Sequence, residues 1–198
     1  MIHPIVKFGD PVLDKPSETI TSFDEDLKKL EERLKHQNYQ VNDKELSPLA
    51  SNDLLILLDS KSTKVGDTAA ALLGRRTETG LVIDALLNNR IRTALGRVRA
   101  TNILHWFGRS VPEAVEAHLH LLSDRSNDVL GNALFGIVFR RRRDLLPKLR
   151  EHLAIASGDA AKQQILREAI EALEADNPAL YSPGFHDANN IWRLNEPA

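Results

Sequence analysis

The 198-residue chain is predicted to be all-α, built from short helix pairs stacked in a row. Three observations predict it. Leu and Ala dominate an apolar fraction of 42%, while aromatic residues make up only 5%. Such side chains lose little conformational freedom in a helix. Apolar residues also recur from about residue 50 onward in compact blocks at helical spacing. Finally, the blocks repeat: Val65, Val98 and Val129 each precede a Thr or Asn and then an apolar run, at offsets of 33 and 31 residues. A period of that length signals stacked helix pairs, because one pair alone cannot bury its apolar face.

The opening of the chain differs from the rest. Pro4, Pro11 and Pro16 exclude a helix before Ser17, and residues 5–8 read as a short extended segment. Ser22 or Asp24 then caps a helix from about Phe23 to His36, whose Phe23, Leu27, Leu30 and Leu34 form one apolar stripe. From about residue 45 the apolar blocks alternate as short helices. They centre on Leu54–Leu58, Ala69–Leu73, Val82–Leu87, Ile103–Phe107, Ala114–Leu122, Leu130–Val138, Leu145–Leu153 and Ile165–Leu173. A weaker fourth copy of the repeat lies within residues 163–173. Beyond Asn177, Pro178, Pro183, Gly184 and Pro197 predict irregular chain. Tyr181, Phe185, Ile191 and Trp192 are expected to fold it back over the last repeat, as a solenoid needs capped ends. The expected organisation is an N-terminal cap over 1–42, a repeat domain over 43–176 and a C-terminal cap over 177–198.

The stretch PIVKFGDPVLDKPSETITSFDEDLKKL resembles the start of the peptide deformylases: a first strand, a proline-punctuated turn and a first helix. The resemblance covers about a sixth of the chain. That family's catalytic parts are a Gly-rich motif ending in Gln, a Glu-Gly-Cys motif and a helical His-Glu-x-x-His pair. None follows here, so the resemblance implies shared ancestry or a fusion rather than that activity. The stretch LLILLDSKSTKVGDTAAALLGRR resembles HEAT-type repeats of the short bacterial sort, and the likeness extends over roughly residues 50–176. It implies a right-handed α-solenoid of about four helix pairs whose second helices line a concave surface. Two departures stand out: most copies lack the usual first-helix proline, and Arg140–Arg143 crowd the end of the third copy.

Charge is unevenly spread. Residues 1–60 carry −5, residues 61–150 carry +8 and residues 151–198 carry −5, for a net −2. The basic middle is a candidate footprint for an anionic partner. Arg75, Arg76, Arg90, Arg92, Arg97, Arg99, Arg109, Arg140, Arg141, Arg142 and Arg143 lie near repeat ends and second helices. If they share one face, they make a basic groove whose planar donor forks suit carboxylates and phosphates.

Catalytic signatures are absent. With no cysteine there is no disulfide, no thiolate nucleophile and no thiolate ligand. His118 and His120 are two apart and point apart on a helix, a poor chelate. His105 beside Trp106 reads as a buried contact. Glu168, Glu171 and Glu174 read as a solvated face. Gly66, Gly74 and Gly80 form no phosphate loop. No enzyme activity, metal or cofactor is expected, and no apolar run is long enough to cross a bilayer. With no basic segment leading an apolar stretch at the start, the expected location is cytoplasmic. The first functional reading is a protein-interaction module, a scaffold or a neutralising partner in the manner of an immunity protein, which binds an acidic protein. The second is a nucleic-acid binder, opposed by acidic flanks and by aromatics that sit in core-like stripes. The third is a residual deformylase-related enzyme.

Overall fold

A computed structural model describes residues 25–181, which form ten α-helices and no strand. In order these are α1 (Glu25–Leu34), α2 (Tyr39–Leu46), α3 (Ser51–Leu57), α4 (Thr63–Arg75), α5 (Thr79–Leu87), α6 (Ala94–Trp106), α7 (Glu113–His120), α8 (Asn127–Phe139), α9 (Leu146–Ile155) and α10 (Ala160–Glu174). The chain is all-α over this span. The expected strand at residues 5–8, the deformylase-like segment before Glu25 and the tail beyond Tyr181 lie outside the described residues.

The even-numbered helices from α4 onward begin alike. Ser62, Thr93, Ser126 and Asp159 each adopt extended backbone, and their side-chain oxygens accept the amides of Val65, Gly96, Val129 and Lys162. Each cap satisfies one of the amides that a helix start leaves without a partner. The caps stand 31, 33 and 33 positions apart. Seven positions after the first three caps come Ala69, Ala100 and Ala133, all fully buried. This register differs from the one read from the valines: Val98 lies five positions after its cap, Val65 and Val129 only three. Helix α6 therefore starts two residues earlier than the valine alignment implies.

Packing follows the alternation. Helices α4, α6, α8 and α10 contact one another in succession, and α3, α5, α7 and α9 each pack on the helix that follows them. Helix α5 also packs on α7, and α2 on α4. Hydrogen bonds at both ends show that the even helices run parallel. Asp59, ahead of α4, accepts the amides of Arg92 at 2.9 Å and Thr93 at 2.8 Å, ahead of α6. At the opposite end Arg140, closing α8, donates to the carbonyls of Leu104 at 2.8 Å and Gly108 at 3.1 Å, closing α6. One edge of this row thus carries the helix starts and the other the helix ends. A single apolar core runs between the helices, from Leu34 and Leu54 through Leu104 and Leu134 to Leu173.

Both described ends are tied to that core. Leu27 and Leu34 of α1 are buried, and Leu30 is packed against them. Tyr181 is buried, and its hydroxyl donates to the Gly131 carbonyl at 3.1 Å. Helix α2 was not expected, and it crosses the domain boundary drawn between residues 42 and 43. Its sequence offers only Val41 and Leu46 as apolar anchors, with no stripe to read; the Asn38 cap and packing on α4 form it.

Candidate binding surface

The arginines fall into three groups. Arg99 is interior, 2% exposed, so it cannot belong to a solvent-facing groove. Its Nε donates to Asp67 at 2.8 Å, and its Nη1 donates to the carbonyls of Leu58 and Ser60 at 2.7 Å each. Glycine at 66 makes this possible, since a Cβ there would collide with the guanidinium. Arg97, Arg76 and Arg140 staple neighbouring elements. Arg97 grips both Asp124 oxygens at 2.6 and 3.1 Å. Arg76 donates to the carbonyls of Ser47 at 2.6 Å and Leu49 at 2.8 Å. For Arg76, Arg99 and Arg140 the physical reason is shared: helix ends leave carbonyls without partners, and a planar fork of donors satisfies two at once.

A second group spends its charge on exposed ion pairs: Arg75 with Asp43, Arg90 with Asp84, Arg141 with Asp176 and Arg142 with Asp144. Such pairs contribute at most about 1 kcal/mol. Arg92, Arg109 and Arg143 remain, exposed and without a carboxylate partner among the described residues. The eleven arginines thus make no single groove.

Around Arg109 the structure builds something the charge pattern did not show. Trp106 and Phe139 each stand thirteen positions after their caps, so they occupy equivalent positions at the ends of α6 and α8. Trp106 is 46% exposed and Phe107 38%, whereas the sequence placed both in a core-like stripe. Adjacent helical residues point about 100° apart, so a Trp-Phe pair before Gly108 is legible afterwards as one residue too many for the core. The Arg109 guanidinium lies over the Phe139 ring at 4.5 Å. Beneath them His105 is buried, its ring 4.7 Å from Trp106, 4.5 Å from Phe135 and 4.5 Å from Phe139. The result is a half-exposed aromatic nest rimmed by Arg109 and Arg140.

Electrostatics inside the nest are one-sided. Burial, then the charges of Arg140 and Arg109, push the His105 pKa down to about 4. His118 is pushed down to about 3 by burial, then Arg140 and His105. Arg140 is itself shifted down, by burial first and then by Arg109 and Arg142. A guanidinium only donates, so at 3.3 Å from Arg140 the His118 Nε2 is the acceptor and its proton sits on Nδ1. That Nδ1, both nitrogens of His105 and the Arg140 Nε have no hydrogen-bond partner among the described residues. The histidines are therefore neutral at pH 7, and the positive charge of this edge belongs to arginine.

Elsewhere the described residues are chemically plain. His118 is buried while His120 is exposed beside Asn89, so the pair is divided between core and surface. No group of three His, Asp or Glu among the described residues is placed to hold a metal ion. No described helix is long and apolar enough to cross a membrane. An open cleft of about 690 Å³ beside α1 is lined by both signs of charge, including Glu31, Glu32, Lys35 and Lys61. In comparisons with known proteins, no family model matches the chain, and no curated protein or solved structure is significantly similar to it.

Proposed function

We infer that this chain is a non-catalytic protein-interaction module of the HEAT-like solenoid kind, and that it grips an acidic protein partner. The successive parallel packing of α4, α6, α8 and α10, with caps 31 to 33 residues apart, supports a solenoid of about four helix pairs. The observation that carries the functional reading is the exposed pair Trp106 and Phe107 beside Arg109, a cation without a carboxylate partner among the described residues. Trp and Arg are the residues most enriched at energetic centres of protein interfaces. Here both stand at the end of α6 and the turn that follows it, with Arg140 adding positive charge behind them. The basic surface of this reading is narrower than the run of arginines first suggested: it is the edge formed by the ends of α6 and α8. A cysteine-free chain of this type suits a cytoplasmic scaffold, or a protein that neutralises a toxin or regulates an enzyme.

Single-stranded nucleic acid is the second reading, because exposed aromatics next to arginine also stack on bases. One experiment separates the two. Wild type and a Trp106→Ala/Arg109→Glu variant are used side by side for capture from native cells, and the captured protein is purified for rebinding. An acidic protein bound with a micromolar or tighter Kd, and weakened at least tenfold by the variant, supports the module reading. Micromolar binding of random-sequence RNA or DNA at physiological salt, lost in the variant, replaces it with the nucleic-acid reading.

A further inference from the structure

One stripe of α6 stays open to solvent. Leu95, Val98, Asn102 and Trp106 recur every three or four residues and so share one face of the helix. Leu95 is 43% exposed, Val98 is half-buried and Trp106 half-exposed. Asn102, only 6% exposed, forms the low point between them. At the equivalent position of the neighbouring helices, nine residues after each cap, stand Ala71 on α4 and Phe135 on α8, both half-buried.

The Asn102 amide is the unusual group. It forms no hydrogen bond with any described residue. Other polar side chains nearby turn back onto their own helices. Thr68 donates to the Lys64 carbonyl at 2.7 Å, Thr101 to that of Val98 at 2.7 Å, and Asn132 to that of Asp128 at 2.8 Å. Asn42 is also unpartnered, but its amide atoms are sealed in the core, and those of Asn102 are not. Asn102 therefore offers free donors and a free acceptor within an otherwise apolar stripe.

Charge differs between the two ends of the stripe. Beyond Trp106 lie Arg109 and Arg140, without a carboxylate partner among the described residues; Glu113, the nearest acid in sequence, forms no ion pair with either. Asp128 stands exposed at the start of α8, level with Leu95. On α4, Asp67 and Asp43 are already paired with Arg99 and Arg75.

A partner that covers the stripe takes Asn102 from its remaining water and must replace both kinds of hydrogen bond. A helix cannot do so with its backbone, which is satisfied internally. An extended chain can, because the N–H and C=O of one residue lie on the same edge. From Leu95 to Trp106 the stripe is about 16 Å long, the length of about five extended residues. We propose that an extended segment of the acidic partner lies along this stripe. One of its residues exchanges both backbone hydrogen bonds with the Asn102 amide, an apolar side chain packs on Trp106 and a carboxylate reaches Arg109. The acidity of the segment rests on the function proposed above; its extended backbone does not.

The probe is a phage-displayed library of random twelve-residue peptides, selected on the full chain, with the enriched peptides then synthesised. Binding at physiological salt is measured by fluorescence anisotropy. The expected result is a micromolar Kd, weakened at least tenfold by Asn102→Ala and by Trp106→Ala. N-methylation at a single peptide position should cost wild type at least tenfold and cost Asn102→Ala little more, which marks the shared hydrogen bond. Asn102 bonds nothing in the described structure, so the Ala variant should keep the wild-type circular dichroism. If it does not, Asn102→Asp, which removes the donor and keeps the shape, replaces it with the same expected direction. An unenriched library, a peptide that turns helical on binding, or a Kd unchanged by Asn102→Ala overturns the proposal. An oligothymidine bound tighter than every peptide, and weakened by Asn102→Ala, overturns the choice of polypeptide. An acidic protein captured as above that rebinds Asn102→Ala at full strength overturns this binding mode and leaves the module reading standing. Selected peptides that obey the Asn102 pattern but carry no acidic residue leave the binding mode standing and count against the acidic partner.

Discussion

Arg99 and His105 show how differently two buried polar residues can be treated. Arg99 is nearly saturated: Asp67 and two carbonyls take its donors, and a third carbonyl, of Ser62, lies at 3.4 Å. Replacing it with Met would leave the buried Asp67 carboxylate unpaired, and should cost about 3–5 kcal/mol in urea denaturation. Arg99→Lys should recover only part of that loss, because a point charge cannot span Asp67 and the carbonyls together. His105 has the opposite situation, with both nitrogens unpartnered among aromatic rings. Its folded pKa, about 4, lies below the ordinary 6.5, so the unfolded chain binds protons more readily. His118, at about 3, has the same sign. Their contribution to stability is complete above pH 6.5 and lost as pH falls toward those folded values. His105→Phe should flatten that dependence between pH 6.5 and 4 and raise stability at pH 7 on the order of 1 kcal/mol. Thermal melts across that range, followed by circular dichroism, would show it; an unaltered pH profile would contradict the role given to His105.

At the scale of the element, helix starts are regular, and four helix ends share one strained turn. Every even helix from α4 has a polar side chain at its cap, but the turns after α4, α5, α8 and α10 place Thr77, Asn89, Arg141 and Asp176 at positive φ. Glycine is the usual residue there, since a Cβ makes this conformation costly. Thr77 is the most strained by type, being β-branched at φ 58°. The Glu78 amide nevertheless closes the turn on the Leu73 carbonyl at 3.3 Å. Thr77→Gly should therefore stabilise the protein by about 1 kcal/mol, raising the urea midpoint without changing its slope. A lower midpoint would mean that the Thr77 hydroxyl, which donates to the Arg76 carbonyl at 2.6 Å, matters more than the backbone strain.

For the whole molecule, stability rests on neighbour-to-neighbour packing, so an end helix acts as a lid. Helix α1 contributes buried Leu27 and Leu34, each worth about 1.5–3 kcal/mol against exposure. Removing residues 1–36 should lower the melting temperature and leave a face that promotes association, visible as concentration-dependent light scattering. A truncated chain that melts like the intact one would refute the docking of α1. The aromatic nest belongs to this scale as well, because it does not exist within one helix: His105 and Phe139 meet only when α6 lies beside α8.

The sequence by itself determined the helical class and the position of nearly every helix from α3 onward. Leu-rich blocks at helical spacing report burial directly, and burial is what forms short helices. Helix α2 escaped because a single cap and two apolar residues carry no period. The fate of the arginines was decided only in three dimensions. Arg99 and Arg92 look alike in the chain, seven residues apart. Yet one is drawn into the core by Asp67 and the carbonyls of the α3–α4 turn, while the other is left in water. Charge along a sequence records how many cations exist. Which of them stay free depends on the carboxylates and helix-end carbonyls that packing brings within reach.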